Sequence, residues 1–173
     1  MPAATLASWS LPDGRVVTMR PISPDDFDRE MAFIDGLSME TGYNRLFSPR
    51  HPSPQEVRRW TNVDPRREAA FVVTAPDPQG AEQMLAVGRL VHDEGGADAE
   101  FALLVGDASK RQGLGRHLLE ALIDEARARD LRTLYGLALS TNADMLALGA
   151  RCGFASRREI GDSLVTRLSL QLR

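Results

Sequence analysis

The chain has 173 residues and a mass of 19.0 kDa, enough for one domain with a proper core. Apolar residues at 43% and charged residues at 26% exclude a disordered body, and 14 Gly with 10 Pro are too few for a fibrous protein. Lys+Arg 21 against Asp+Glu 24 leaves a net charge of −3, which excludes nucleic-acid binding driven by bulk electrostatics.

Along the chain, a turn at Pro12-Asp13-Gly14 leads into a strand over 15–22. Ser23-Pro24-Asp25-Asp26 has the marks of a helix start: a hydroxyl cap, Pro at the first position and carboxylates in the first turn. Phe27, Met31 and Ile34 give that helix its apolar face. Gly36 weakens it, and 38–47 reads as a second short helix or an irregular segment. Ser53-Pro54-Gln55-Glu56 is a capping box that opens a helix to about Trp60. Apolar runs over 69–75, 84–91 and 99–105, separated by short Pro/Gly turns, predict an antiparallel meander. A helix over 114–128 is the clearest in the chain, with Leu118, Leu122 and Ala126 on one face. A strand over 133–139, a short helix over 143–152, a strand over 154–160 and another over 164–172 complete the order.

These elements predict a mixed α/β (α+β) domain over 13–173. About seven strands form a mostly antiparallel sheet, flanked by four or five helices. Residues 1–12 are expected to be a flexible tail. They carry neither a basic n-region nor a sustained apolar run, and no stretch approaches the roughly 20 apolar residues of a membrane span, so a cytoplasmic protein is expected. The single cysteine, Cys152, precludes an internal disulfide, and His51, His92 and His117 lack metal-ligand spacing, so no metal is expected.

Lys110-Arg111-Gln112-Gly113-Leu114-Gly115 lies between a strand and the long helix. Glycine lets a ligand approach the main chain, and a helix N-terminus offers unpaired N–H groups to phosphate. Two phosphate-loop patterns fail here. The dinucleotide fingerprint requires a glycine where Leu118 stands, and a Walker loop requires Lys and Ser/Thr where Arg116 and His117 stand. Lys110 is also the only lysine among the 21 basic residues.

The pattern V-x-x-x-x-[QRK]-x-x-G-x-G, from Val105 through Lys110 and Gly113 to Gly115, resembles the acetyl-CoA-binding motif of the GNAT superfamily of N-acetyltransferases. Asn142 and Arg151-Cys152-Gly153-Phe154 follow in that superfamily's order. The segments 13–22 and 43–49 (Tyr-Asn-Arg-Leu-Phe-Ser-Pro) resemble the bacterial protein-lysine acetyltransferases of the Pat type. The resemblance implies a GNAT fold and acetyl-CoA as cosubstrate. It implies that backbone at Leu103, Leu104 and Val105 pairs with the pantetheine arm. Amides from Arg111 through Gln112, Gly113 and Leu114 to Gly115 would cradle the pyrophosphate, with Lys110 and Arg116 adding charge and Asn142 reaching the pantetheine.

Amide formation requires a neutral amine, and a lysine with a reference pKa near 10.4 is neutral on the order of one time in two thousand at pH 7. A general base is therefore useful. Glu100 heads the strand entering the motif and shares a face with Ala102 and Leu104; the Pat-type resemblance places a catalytic Glu there. His92 is an alternative base, and Cys152 reads as a small buried hydrophobe. Many family members carry a Tyr as general acid where this chain has Gly149, leaving solvent to protonate the thiolate. The expected activity is direct acetyl transfer to an amine in a ternary complex, with a protein lysine as acceptor. A small-molecule amine acceptor and a non-catalytic acetyl-CoA-binding domain are the alternatives. No nucleic-acid or membrane partner is expected, and the assembly is a monomer or homodimer.

Overall fold

Extended backbone buried on both faces over seven consecutive residues, as at 69–75, fits only inside a sheet covered by helices on each side. The computed structural model, which describes residues 4–173, shows this arrangement around β3. In chain order the elements are β1 (Ala7–Ser10), β2 (Val16–Pro21), a 3-10 turn (Pro24–Asp26), α1 (Phe27–Asp35), α2 (Met39–Leu46), α3 (Pro54–Thr61), β3 (Glu68–Pro76), β4 (Glu82–His92) and β5 (Asp98–Val105). A second 3-10 turn (Asp107–Ser109), α4 (Leu114–Ala128), β6 (Thr133–Leu139), α5 (Ala143–Arg151), β7 (Ala155–Glu159) and β8 (Asp162–Gln171) follow. One eight-stranded sheet has the order β1-β2-β3-β4-β5-β6-β8-β7. Only β5 and β6 pair in parallel; the other pairs are antiparallel.

Alternation along β3 divides the core in two. Phe71, Val73 and Ala75 face Leu114, Leu118, Leu119 and Leu122 of α4. Ala70 and Val72 face Phe33 and Ile34 of α1 and Val57 of α3. Helix starts follow the capping chemistry: Ser53 accepts from the Glu56 amide while Glu56 accepts from the Ser53 amide, and Ser23 and Asp26 do the same at the first 3-10 turn. Asp26 is fully buried and accepts two hydrogen bonds from Arg20, at 2.7 and 2.8 Å. That fork ties the start of α1 to β2. Among the described residues, no helix is long and apolar enough to cross a membrane.

The expected flexible tail over 1–12 is corrected by β1. Ala7 to Ser10 pair with Met19 to Val16 of β2, Trp9 stacks on His117 of α4 with ring centroids 3.9 Å apart, and Leu11 is buried. Four residues of alternating pattern are too short to declare a strand without the partner that hydrogen-bonds them. The sheet therefore has eight strands rather than seven, and the ordered domain starts before residue 13; the first three residues of the tail lie outside the described residues.

The β5–β6 ladder is short. It runs from Asp98↔Thr133 to Phe101↔Gly136 and ends. Beyond it β5 stays with β4 up to Val105↔Ala86, while β6 stays with β8 up to Leu139↔Val165. The two strands part, and the edge of β5 from Ala102 to Val105 has no strand beside it.

At the parting point a Cβ on Gly136 would sit 2.5 Å from the Phe101 ring. Gly136→Ala must push that ring, which lies edge-on to Phe154. Chemical denaturation should show a loss of about 1–3 kcal/mol, the usual cost of overpacking. An unchanged midpoint would mean that Phe101 has room to move.

Candidate active site

The parted strands open a cleft of about 980 Å³ between β5, β6, the 109–116 loop, the start of α5 and one side of α2. Its floor is the unpaired backbone edge of Leu103, Leu104 and Val105. The side chains of Leu103 and Val105 pack toward α4 and that of Leu104 toward α1, so backbone rather than side chain faces the opening.

The glycine loop has an unusual backbone. Gly113 has φ +85° and Arg111 has φ +62°, a left-handed conformation that costs a non-glycine residue about 1–2 kcal/mol. Successive turns of this hand point neighbouring amides toward one locus, and α4 begins at Leu114 with its first amides unpaired by helix geometry. A Cβ on Gly115 would lie 3.1 Å from Leu148, so the bare backbone is what lets α4 start against α5. Arg111, Gly113, Leu114, Gly115 and Arg116 all line the cleft.

Gln112 differs from its loop neighbours. It is absent from the cleft lining, and its Oε1 is buried without a hydrogen-bond partner among the described residues. Lys110 lines the cleft, but its amino group is already engaged, donating to Thr41 Oγ1 at 2.6 Å and pairing with Asp107 at 3.2 Å. Asn142 also lines the cleft; its Oδ1 accepts from the Met145 amide at 3.2 Å as the cap of α5, leaving Nδ2 for a ligand.

Asp107 is the hub behind this wall. It accepts from the Ser38 amide, the Ser38 hydroxyl, the Thr41 hydroxyl and Lys110. Partial burial opposes its ionisation, but these donors hold the carboxyl well below the usual carboxylate range. The start of α2 is thereby fastened to the turn that precedes the glycine loop.

Glu100 lies half-buried in the cleft and has no hydrogen-bond partner among the described residues. Burial and the neighbouring Asp93 push its carboxyl above the ordinary value, against the pull of Arg45 and Arg167. A carboxylate with a free lone pair and a raised pKa in a cleft has the character of a general base. His92 does not line the cleft, and burial with Arg129 and Arg67 lowers its pKa. Tyr135 is buried, with its hydroxyl donating to Asp93 at 2.8 Å, and burial with that hydrogen bond raises its pKa. Gly149, where many relatives of this motif have Tyr, would place a Cβ 3.0 Å from Leu168, so a larger side chain has no ready space. Cys152 is half-buried against the core, and burial raises its thiol.

Two residues of this site carried no assigned role in the sequence. Arg151 lines the cleft near the end of α5. Arg45 stands where the cleft meets a side cavity of about 150 Å³ under α1 and α2, and has no ion-pair or hydrogen-bond partner among the described residues. Burial, reinforced by nearby Arg89, pulls its pKa down. In the same cavity Glu30 Oε1 is taken by Arg89, which also donates to the Trp60 carbonyl at 2.5 Å, while Glu30 Oε2 is buried and unpartnered. Arg45 is a member of the Tyr-Asn-Arg-Leu-Phe segment, which was the one available signal.

Comparison with known proteins agrees with this geometry. Residues 17–155 match the family model described as an acetyltransferase (GNAT) domain. An acetyltransferase of Pseudomonas aeruginosa is 30% identical over 164 residues, which cover 93% of this chain and 88% of that one. The acetyltransferase Pat of Mycolicibacterium smegmatis is 30% identical over 143 residues, 82% of this chain but 42% of that longer protein. Among solved structures, the GNAT domain of PAT from S. lividans superposes with a TM-score of 0.83 at 28% identity, covering 95% of this chain and 96% of that one. An acetyltransferase from Salmonella typhimurium, solved with its cofactor acetyl-CoA, shares the fold with a TM-score of 0.71 at 21% identity, covering 91% and 94%.

The Asp107 hub has a measurable consequence. Asp107→Asn should cost about 1–2 kcal/mol near pH 7, because hydrogen bonds to a charged acceptor are lost or weakened. The folded-state pKa lies below the unfolded one, so this contribution is present above the ordinary carboxylate range and is lost as pH falls through the folded value. The stability gap between wild type and variant should therefore close below about pH 4. A gap independent of pH would exclude a charged Asp107 as the source.

Proposed function

We propose a protein-lysine acceptor and Glu100 as general base for this chain, which belongs to the GNAT family and is an N-acetyltransferase with acetyl-CoA as its cosubstrate. The observation that carries the proposal is Glu100: half-buried, raised in pKa and without a hydrogen-bond partner among the described residues, in β5 just before its edge comes free of β6. Its environment matches the task, since a carboxylate with a raised pKa is a better proton acceptor than an exposed one. The likeness to Pat-type proteins supports lysine as the acceptor.

The residues present suit acetyl-CoA. The unpaired edge at Leu103, Leu104 and Val105 offers backbone donors and acceptors to the pantetheine amides, as an added strand would. The preformed loop from Arg111 to Gly115 offers amides to the pyrophosphate, and Arg111, Arg116 and Arg151 bring positive charge to that end. Lys110 joins them by turning from Thr41 and Asp107 toward phosphate. Asn142 presents Nδ2 from the cap of α5.

When bound, acetyl-CoA supplies the acetyl group as a thioester. Glu100 accepts a proton from the acceptor ammonium, directly or through a water, and so raises the fraction of neutral amine at the reaction centre. The amine attacks in a ternary complex, with no protein nucleophile: Cys152 sits against the core with its thiol held protonated. The departing thiolate, with a pKa near 8.5 in a free thiol, takes its proton from solvent, since Gly149 offers no donor. The acceptor is met in the cytoplasm.

Glu100→Gln keeps the shape and removes the base. Its kcat for a lysine peptide should fall by about 10²–10⁴-fold, the usual contribution of a general base. Wild-type activity should fall as pH drops through the raised Glu100 pKa, because only the ionised form accepts the proton; in the Gln variant that limb should vanish. Coincident pH profiles would remove Glu100 from the role. Mass spectrometry should find acetyl on lysine ε-amines, and acetylation of free amines alone would overturn the acceptor assignment.

A further inference from the structure

Most arginines in this chain have a carboxylate within ion-pair distance. Eight have none among the described residues: Arg58 of α3, Arg66 in the turn before β3 and Arg158 of β7 stand singly, and the other five fall into two groups. Arg111 and Arg151 line the cofactor cleft, and Arg45 stands at its junction with the side cavity. Arg157 and Arg167 face each other across β7 and β8, outside the cleft.

The sheet register places that last pair on the acceptor side. Glu100 pairs with Tyr135, and Tyr135 with Ser169; one row along, Leu137 pairs with Arg167, and Arg167 with Arg157. Alternation puts Glu100, Tyr135, Leu137, Arg167 and Arg157 on one face. On the opposite face α5 packs against β8, with Gly149 at Leu168. The Arg167 guanidinium lies 3.7 Å from the centroid of the Tyr135 ring, and Arg157 is exposed on the edge strand. Like charges directly opposed across a ladder are destabilising. On this face the nearby carboxylates are Glu100 and Asp93, the latter already accepting from the Tyr135 hydroxyl, with Glu159 and Asp162 away at the hairpin tip. Ile160, 95% exposed, lies in the turn of that hairpin, whereas Leu164, 72% exposed, alternates onto the opposite face with Thr166 and Leu168.

We propose that this face docks an acidic segment of the acceptor protein, with Arg157 and Arg167 holding a carboxylate side chain that lies near the acceptor lysine in sequence. The proposal rests on the protein-lysine reading above. Two strand spacings, about 10 Å, separate β5 from β8. An extended peptide advances about 3.3 Å per residue, so the carboxylate falls roughly three or four residues from the lysine. The paired arginines then receive a counter-charge beyond the one Arg167 shares with Glu100, and Ile160 in the hairpin turn offers apolar contact beside it.

The test uses single-lysine peptides that differ only at those flanking positions: Asp or Glu, Asn or Gln, and Lys-free basic Arg versions. At low salt kcat/KM should favour the acidic over the neutral peptide by roughly two- to fivefold, with the preference shrinking as salt rises. Arg157→Glu, at an exposed edge position, should turn the preference toward the basic peptide, and Arg157→Gln should abolish most of it. Equal turnover of all lysine peptides, or a preference untouched by Arg157→Glu, overturns the docking surface while leaving the lysine reading standing. Turnover of free amines with none of any lysine peptide overturns both.

Discussion

The end of the β5–β6 ladder at Phe101 and Gly136 is the constraint on which the site depends. A backbone edge buried in the middle of a sheet has to be paired, by protein or by ligand, because unpaired amides and carbonyls are costly away from water. Here the two strands are held apart by loyalty to other neighbours, β4 on one side and β8 on the other. The result is a strand-shaped vacancy with the loop of a helix N-terminus at one end and Glu100 at the other. Under the function proposed above, such a cleft would align a peptide-like ligand by its main chain, offer amides to its phosphates and bring its reactive end toward a carboxylate.

Rigidity is concentrated around that vacancy. Arg111 holds a left-handed backbone, Gly115 admits α5 at close range, and Asp107 gathers donors from α2 and the loop onto a single carboxylate. Such preorganisation lowers the cost of ordering the walls on binding. Charge is distributed with similar economy. Ion pairs engage most arginines, while Arg45, Arg111 and Arg151, which have none among the described residues, line the cleft. The loop end suits phosphate and the open sheet face suits a carboxylate-bearing acceptor.

Much of the fold was legible because it rests on short-range rules. The capping boxes at Ser23 and Ser53 and the apolar stripe of 114–128 announce their helices within a few residues of chain. The meander over β3–β5 follows from apolar runs joined by tight turns. β1 was not legible: four residues acquire a strand only when β2 hydrogen-bonds them and Trp9 finds His117 in α4. Likewise Gln112, set within the loop pattern, has its side chain turned into the protein, an orientation no spacing reveals.

By itself the sequence determined the order of elements after β1, the phosphate-suited loop, the absence of a Tyr at Gly149, and Glu100 as an acidic residue early in the strand that leads into the loop. Tertiary structure decided everything that depends on residues distant in the chain. Lys110 meets Thr41 across 69 positions, and Asp107 meets Ser38 across 69. Arg45 meets the neighbourhood of Glu100, and Arg157 meets Arg167 only after a hairpin sets their register. The physical reason is that a pKa, an ion pair or an opposed pair of like charges belongs to a neighbourhood in space. Local pattern encodes backbone conformation, whereas the neighbourhood is created only when the strands part and the helices close over them.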